Sequence, residues 1–181
     1  MSALSNFIVC LVEKLPEPEF GGLAAEVFGD IQQESARLAS VMESEKCDSA
    51  RGQTAKTVRF AALQGETLVG WSIGWMEKGC VFYMAHSGVS RPFQHKGIYS
   101  SLLAHVLDYA VSQGAVALRS QHSVLNNRMI IYKLARGFYI SGLSFDAQMG
   151  SLVELTRYLS GPREKLFTDR AVSLRPAEKA R

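Results

Sequence analysis

The spacing of apolar residues divides the first half of the chain into strand-like runs. Three runs rich in β-branched and aromatic residues, Thr57–Leu63, Thr67–Met76 and Cys80–Val89, are separated by Gln64-Gly65 and by Lys78-Gly79. Short glycine-containing turns between such runs are typical of hairpins. The pattern therefore predicts three successive antiparallel strands.

The second half of the chain alternates between helical and strand-like spacing of apolar residues. Apolar residues recur at intervals of three and four over Lys96–Val111, which predicts an amphipathic helix. A short apolar run, Ala115–Ser120, predicts a strand, and Asn126–Arg136 predicts a second helix before a glycine. Two closing strands are expected over Phe138–Phe145 and Ser151–Leu159.

Both ends of the chain are less regular. Helical spacing over Phe20–Glu45 predicts one or two helices, although three glycines weaken the pattern, and the polar stretch Cys47–Lys56 is expected to be a loop. After Gly161-Pro162 the chain becomes a charged tail, either a short helix or a mobile segment. We expect one domain over residues 1–160, followed by the tail over residues 161–181.

The order of these elements predicts an α/β (α+β) fold. A mixed, mostly antiparallel central sheet of about six to seven strands would be flanked by helices. Because a helix separates Cys80–Val89 from Ala115–Ser120, these two strands are expected to pair in parallel.

Composition narrows the class of protein. The chain has 181 residues, of which 47% are apolar and 20% charged, enough for the core of one globular domain. A net charge of +3 gives little reason to expect a nucleic-acid partner. Cys10, Cys47 and Cys80 form no CxxC pair, so neither a disulfide framework nor a zinc site is expected. His95, His105 and His122 show no ligand spacing with Asp, Glu or Cys, so no metal site is expected. The run Phe7–Val12 lacks a basic segment before it and is too short to cross a bilayer, so a soluble cytoplasmic protein without a membrane partner is predicted.

The segment from Val89 to Tyr99 joins the end of a buried strand to the start of the amphipathic helix. The first N–H groups of a helix have no internal partner and carry partial positive charge, so they favour a bound phosphate. Gly97 lets such an anion approach the backbone, and Lys96 adds a cation beside it. Alternatively, Gly97 only eases a tight turn between strand and helix.

The same segment resembles the acetyl-CoA-binding motif of the GNAT superfamily. That motif has an apolar strand ending in Val, then Gln or Arg, two residues, Gly, one residue, and Gly or Ala. Gln94 and Gly97 match it in type and spacing, whereas Tyr99 stands where a small residue is usual. A second similarity is Asn126, eleven residues before Gly137-Phe138.

The resemblance covers Thr57–Leu159 and implies a GNAT fold in which the two parallel strands splay apart after Val89 and hold the thioester between them. It further implies acetyl-CoA as co-substrate, an amine as acceptor, and a homodimer as one expected assembly. Asn126 would cap its helix and bind the pantetheine arm. The implied cofactor-binding residues are Val89, Gln94, His95, Lys96, Gly97, Ile98, Tyr99 and Asn126.

Transfer to an amine requires the loss of a proton, because an alkyl ammonium has a pKa of about 10. Strand alternation places Phe82, Met84 and His86 on one face. Histidine is the side chain that most often exchanges protons near neutral pH, so His86 is the best candidate for a general base, and the alternative is a histidine hydrogen-bonded for structural reasons. Tyr83, on the other face, is a further catalytic candidate.

Tyr132 is the candidate for protonating the departing CoA thiolate. The tyrosine of the superfamily lies four residues before the glycine, and Lys133 occupies that position here. One residue turns a helix by about 100°, so Tyr132 is expected to point elsewhere, unless the helix is locally distorted, and packing in the core is the alternative role.

Three functions remain open at this stage. The leading hypothesis is an N-acetyltransferase that acts on a primary amine of a small molecule or peptide. The displaced Tyr132 favours a rival, a non-catalytic acyl-CoA-binding or sensor domain with the same fold. A nucleotide-binding domain that uses Gly97 for a different diphosphate has less support, since the chain contains no Walker Lys-Ser/Thr and no GxGxxG.

Overall fold

The computed structural model describes residues 7–29, 56–146 and 149–172. The helix predicted from Phe20 appears as α1, which begins at residue 19 and is described as far as residue 29. The rest of the helices predicted up to Glu45, nearly all of the loop predicted from Cys47, and the end of the charged tail lie outside the described residues.

A seven-stranded mixed sheet forms the centre of the fold, in the order β1-β2-β3-β4-β5-β7-β6. The β4–β5 pair is parallel and the others are antiparallel, which confirms the predicted fold class and the predicted parallel pair. The strands are β1 Ile8–Val12, β2 Val58–Gln64, β3 Thr67–Glu77, β4 Val81–Val89, β5 Ala117–Ser123, β6 Tyr139–Asp146 and β7 Gly150–Tyr158.

Strand β1 was not predicted. The run Phe7–Val12 was considered only as a targeting or membrane segment, and it proves to be an edge strand that pairs antiparallel with β2. Ile8 and Leu11 are 71% and 57% exposed, so the run lacks the alternation of a half-buried strand.

Three further helices complete the described fold. Helix α2 (Ile98–Ser112) begins two residues later than predicted, and α3 (Asn127–Leu134) is shorter than predicted. Helix α4 (Gly161–Val172) accounts for the first part of the charged tail, and its Phe167 packs 5.2 Å from the rings of Tyr139 and Tyr158.

The main core lies between α2 and the sheet. The buried face of α2 repeats at intervals of three and four, as the sequence predicts, and each buried side chain of this kind contributes roughly 1.5–3 kcal/mol. The buried residues of α2 are Ile98, Leu102, Leu103, Val106 and Ala110. A second cluster under α1 includes Leu23, Ala61 and Trp71. The two faces of the sheet are therefore covered by different helices.

The parallel ladder between β4 and β5 is short. It has four residue pairs and ends at Met84 and Ser120, beyond which the strands separate. The resemblance led us to expect separation after Val89, so the gap opens five residues earlier. A β-bulge explains the difference: His86 pairs with Ile73 and Met84 with Gly74, which leaves Ala85 as an extra residue in β4. A bulge bends the strand that carries it.

Because of the same bulge, His86 lies on the opposite face of the sheet from the one predicted. Phe82 and Met84 belong to the core under α2, whereas His86 pairs with Ile73, which packs in the cluster under α1. The ring of His86 lies 5.7 Å from that of Phe28 in α1. Because Ala85 adds a residue, the alternation reverses, and the prediction that His86 shares a face with Phe82 and Met84 is wrong.

Candidate functional site

The connection between β4 and α2 forms a tight, internally braced turn. A short 3₁₀ helix over Arg91–Phe93 follows β4, and the side-chain amide of Gln94 donates a hydrogen bond to the Val89 carbonyl at 3.1 Å. His95 and Gly97 have φ angles of 63° and 83°. The left-handed conformation at residue 97 suits glycine and lets α2 begin at the next residue.

This turn presents a row of unpaired backbone donors. Within the described ranges, none of the N–H groups of residues 95 to 100 donates to an acceptor, and the first bonded one is that of Ser101, which donates to the Gly97 carbonyl at 3.0 Å. The first turn of α2 has no acidic side chain and no side-chain cap. Free donors and the helix dipole together make this turn a site that favours an anion.

The turn opens onto a cavity of about 550 Å³ between β4, β5 and the N-terminal ends of α2 and α3. The cavity extends along the gap that opens beyond the parallel ladder, where Ala85 and Ser87 of β4 and Gln121 of β5 line it. Seven of the eight predicted cofactor-binding residues line this cavity: Val89, Gln94, His95, Gly97, Ile98, Tyr99 and Asn126. The eighth, Lys96, does not line it, and its ammonium lies 5.0 Å from the ring centre of Phe93.

Asn126 and Tyr99 both have structural partners in the wall of the cavity. The Asn126 Oδ1 accepts a hydrogen bond from the Met129 N–H at 3.2 Å, which caps α3, while its predicted contact with the pantetheine arm stays a prediction. The Tyr99 ring packs edge-on against Tyr132, with centroids 5.2 Å apart, and burial raises the pKa of Tyr99 above its ordinary value. This packing accommodates a large residue where the motif usually has a small one.

The three catalytic candidates have different surroundings. His86 is exposed, and neither it nor Tyr83 is among the residues that line the cavity. The Tyr83 hydroxyl donates to Gln121 Oε1 at 3.2 Å, and burial, followed by the negative charge of Glu77, raises the pKa of Tyr83. Tyr132 does line the cavity, with its hydroxyl 2.7 Å from Ser100 Oγ.

Sequence reasoning missed Lys133 as a functional candidate. Its side chain lines the same cavity although the residue is only 1% exposed, and its ammonium donates to Ser120 Oγ at 2.6 Å. The Phe138 ring lies 5.0 Å from that ammonium. Burial lowers the pKa of Lys133 to about 7. The available signal was the position of Lys133 four residues before Gly137. We used that position only to argue that the expected tyrosine is displaced to residue 132.

His122 lies beside this lysine on β5. Its Nε2 is 3.2 Å from Ser120 Oγ, so one hydroxyl contacts both titratable side chains. Burial, followed by the charge of Lys133, lowers the pKa of His122 to about 3. At neutral pH His122 is therefore uncharged.

Arg128 is a second residue that the sequence analysis missed. It lies in the first turn of α3, lines the cavity, and has its Nη2 2.8 Å from Nε2 of His95. A guanidinium beside the unpaired N–H groups adds positive charge to the site for an anion. No regularity of spacing marks this residue in the sequence.

Two further observations concern the described residues as a whole. None of their helices has the length and apolar character needed to cross a membrane. Among the same residues, no three His, Cys, Asp or Glu side chains gather as they would around a metal ion.

Comparison with known proteins places these features in a family. The acetyltransferase (GNAT) family model matches residues 26–138. No curated protein matches the chain.

Solved structures with similar folds include acetyltransferases named for different acceptors. The chain is similar to nourseothricin acetyltransferase, with 15% identity and a TM-score of 0.53 over 56% of this chain and 65% of that one, so it spans just under two thirds of that protein. It is also similar to the ribosomal-protein-S18-alanine N-acetyltransferase of Escherichia coli, with 12% identity and a TM-score of 0.65 over 86% and 95% of the two chains. A GNAT family acetyltransferase from Elizabethkingia anophelis with acetyl-CoA bound is 14% identical, with a TM-score of 0.60 over 86% and 99%. At these identities the likeness concerns the fold.

Proposed function

This chain belongs to the GNAT acetyltransferase family, and we propose that it transfers an acetyl group from acetyl-CoA to a primary amine of a small molecule or peptide. The observation that carries the proposal is the row of unpaired N–H groups over residues 95 to 100 at the edge of the cavity. These donors suit the pyrophosphate of CoA, because they are fixed by the turn and lie at the positive end of α2.

The charges and the shape of the cavity support the same ligand. Arg128 and His95 stand beside the free donors, where a second anionic group gains a cationic contact. Beyond Met84 and Ser120, the edge of β4 that faces β5 has no partner among the strands that the structure describes. A pantetheine arm, which carries amide donors and acceptors, fits such an opening in the manner of an added strand.

The acceptor approaches the thioester from the side of α1 in this proposal. Val27 and Phe28 of α1 line the cavity together with Ala85, so the described part of the acceptor wall is mainly apolar. We propose that the amine loses its proton to water, because His86, the candidate base on β4, is exposed and does not line the cavity. Positioning of two bound reactants supplies much of the rate enhancement in such a reaction.

The first test is calorimetric titration with acetyl-CoA and CoA of the unmodified chain and two glycine variants. Gly97→Trp adds a large side chain beside the free donors, and Gly65→Trp is the matched control. Both glycines have positive φ and nothing within 4 Å of an added Cβ, but Gly65 lies in the β2–β3 turn. We expect micromolar binding by the unmodified chain and the Gly65 variant, and at least about a tenfold loss in the Gly97 variant, equivalent to about 1.4 kcal/mol.

Absence of binding to the unmodified chain overturns the proposal and leaves the turn as a structural feature. If binding is found, a panel of small amines and peptides with free amino groups tests transfer by the release of CoA thiol. Binding without transfer to any member of the panel would favour the acyl-CoA-binding or sensor function.

A further inference from the structure

We propose that Lys133 is the catalytic residue that protonates the CoA thiolate as it leaves, and that Ser120 holds its ammonium at the point where β4 and β5 part. This inference rests on the proposed function. It assigns to the lysine a step for which the sequence analysis had named Tyr132.

The position of the ammonium is the first argument. Ser120 pairs with Met84 in the last step of the parallel ladder, and Lys133 Nζ lies 2.6 Å from its hydroxyl. The charge is therefore fixed at the closed end of the gap. Lys133 also lines the cavity. A thioester held between the two strands would have its sulfur within reach of this side chain.

The second argument is the lack of a structural reason for a buried cation. In the described part of the chain, the contacts of the ammonium are one neutral hydroxyl and the face of the Phe138 ring, with no carboxylate beside it. A buried ammonium with unfilled hydrogen bonds lowers stability, and an apolar side chain of similar length would fill the same space. A lysine has two further N–H donors, which remain for a ligand in the cavity.

The neighbouring tyrosine points to a different partner. The Tyr132 hydroxyl lies 2.7 Å from Ser100 Oγ of α2, and its ring packs on Tyr99, whereas Lys133 reaches across to β5. This divergence agrees with the rotation of about 100° between successive helical residues. Tyr132 therefore forms part of the wall near α2, and Lys133 is the group directed at the gap.

The acidity of Lys133 suits the step. Burial lowers the pKa of Lys133 to about 7, below the ordinary thiol value of about 8.5, so proton transfer from its ammonium to a thiolate is favourable. The titratable group that faces it from β5 is His122, which is neutral at about pH 7 because its pKa is lowered to about 3. On the α2 side, burial raises the pKa of Tyr99, so its phenol stays protonated.

The proposed step forms one C–N bond and breaks one C–S bond. The nitrogen lone pair of the neutral amine attacks the carbonyl carbon and forms the C–N bond, and the C–S bond breaks with its electron pair going to sulfur. A proton passes from Lys133 Nζ to that sulfur, while the acylated nitrogen releases its proton to water. Neutral Lys133 then regains a proton from solvent after CoA leaves.

The first experiment needs no acceptor. The thiol of bound CoA is titrated through the ultraviolet absorbance of its thiolate, in the unmodified chain, in Lys133→Met and in Lys78→Met, an exposed lysine in the β3–β4 turn. A nearby ammonium favours the thiolate, and at about pH 7 Lys133 is still partly protonated. At that pH, Lys133→Met is expected to lower the thiolate fraction of bound CoA about threefold or more, and Lys78→Met to leave it unchanged.

The outcomes separate the two proposals. Bound CoA that titrates alike in the unmodified chain and in Lys133→Met overturns the role of Lys133 and leaves the proposed function intact. Failure of the unmodified chain to bind CoA overturns both. The binding affinity of the methionine variant, measured in the same series, shows whether its site is folded.

The second experiment measures kcat and KM, and it includes a variant in which Lys133 is replaced by tyrosine, the usual residue of the superfamily at this position. With an amine from the panel, Lys133→Met is expected to lower kcat at least tenfold with little change in the KM for acetyl-CoA. Lys133→Tyr is expected to restore part of kcat and to remove the loss of activity above about pH 7, because a phenol stays protonated to about pH 10. Full kcat in Lys133→Met overturns the proposal.

Discussion

The indole of Trp71 occupies the space in which residue 88 would carry a side chain. A Cβ on Gly88 would lie 2.4 Å from Cη2 of Trp71, and Trp71 itself is 0% exposed. The two residues pair directly across β3 and β4. Glycine at this position therefore allows the indole to lie flat against the strand that lines the cavity.

We expect Gly88→Ala to lower the free energy of unfolding by roughly 1–3 kcal/mol, because a fully buried indole must move to accept the methyl group. Urea unfolding measures the change. Gly22→Ala is the matched control, since an added Cβ there meets nothing within 4 Å and alanine favours a helix by up to about 1 kcal/mol. Equal stability of Gly88→Ala and the unmodified chain would contradict the steric argument.

Glu26 joins α1 to the turn that presents the free donors. Its carboxylate accepts the Arg91 N–H at 2.7 Å and the Ser90 hydroxyl at 3.3 Å. Glu26→Ala is expected to lower the free energy of unfolding by about 1–3 kcal/mol, because charge-assisted bonds to a backbone donor are lost.

The control for that change is Glu19→Ala, an exposed glutamate of the same helix, for which we expect a change within about 0.5 kcal/mol. Thermal unfolding of both variants gives the comparison. A Glu26 variant no less stable than the Glu19 variant would show that the contact contributes nothing.

Lys133 makes stability depend on pH in a defined direction. Its pKa is about 7 in the folded chain and 10.5 as the ordinary value, so between these limits the unfolded chain binds more protons. Stability is therefore expected to rise as the pH increases from about 7 to about 10, by an amount on the order of a few kcal/mol. Lys133→Met should flatten this rise and be more stable than the unmodified chain at about pH 7.

Urea unfolding at several pH values between these limits measures the effect, with Lys78→Met as control. His122 acts in a lower window: its pKa is about 3 in the folded chain against 6.5 ordinarily, so stability falls as the pH decreases through that range. The two limits for Lys133 are its pKa values of about 7 and 10.5. If the free energy of unfolding of Lys133→Met rises with pH between these limits as steeply as that of the unmodified chain, the assignment to Lys133 is refuted.

Cys80 adopts a backbone conformation that cysteine does not favour. It is exposed, precedes β4, and has a φ of 60°. Asparagine tolerates the left-handed region, whereas β-branched residues do not. Cys80→Asn is expected to stabilise the chain by about 0.5–1 kcal/mol and Cys80→Val to destabilise it by about as much. Thermal unfolding that ranks the two variants in the opposite order would disprove this.

The regular elements of the fold were predictable because burial leaves an apolar pattern: α2 has one buried face, and β3 is buried on both faces over residues 68–72. The spacing in α2 and the runs that became β2, β3 and β4 carry that information in the sequence. Strand β1 lacks such a pattern, since Ile8 and Leu11 face solvent at the sheet edge. Only its pairing with β2 makes the segment a strand.

The site was predictable where the backbone determines it. Gly97 and Gln94 marked the turn because its geometry needs a left-handed residue and a brace for the Val89 carbonyl. The bulge at Ala85 had no mark in the sequence, so the direction of His86 was predicted wrongly. Lys133 was overlooked because the partner of its ammonium, Ser120, lies on another element.

The four-pair ladder between β4 and β5 gives this protein a sheet edge in its interior. Strand edges on a protein surface can recruit other chains and promote aggregation. Here the unpaired end of β4 faces β5, which is itself paired on its other side with β7. An incoming β-sheet has no room to add to such an edge, while a thin, extended chain of amides can enter it. Because the ladder is short, the unpaired edge of β4 selects for a single extended chain and against a further β-sheet.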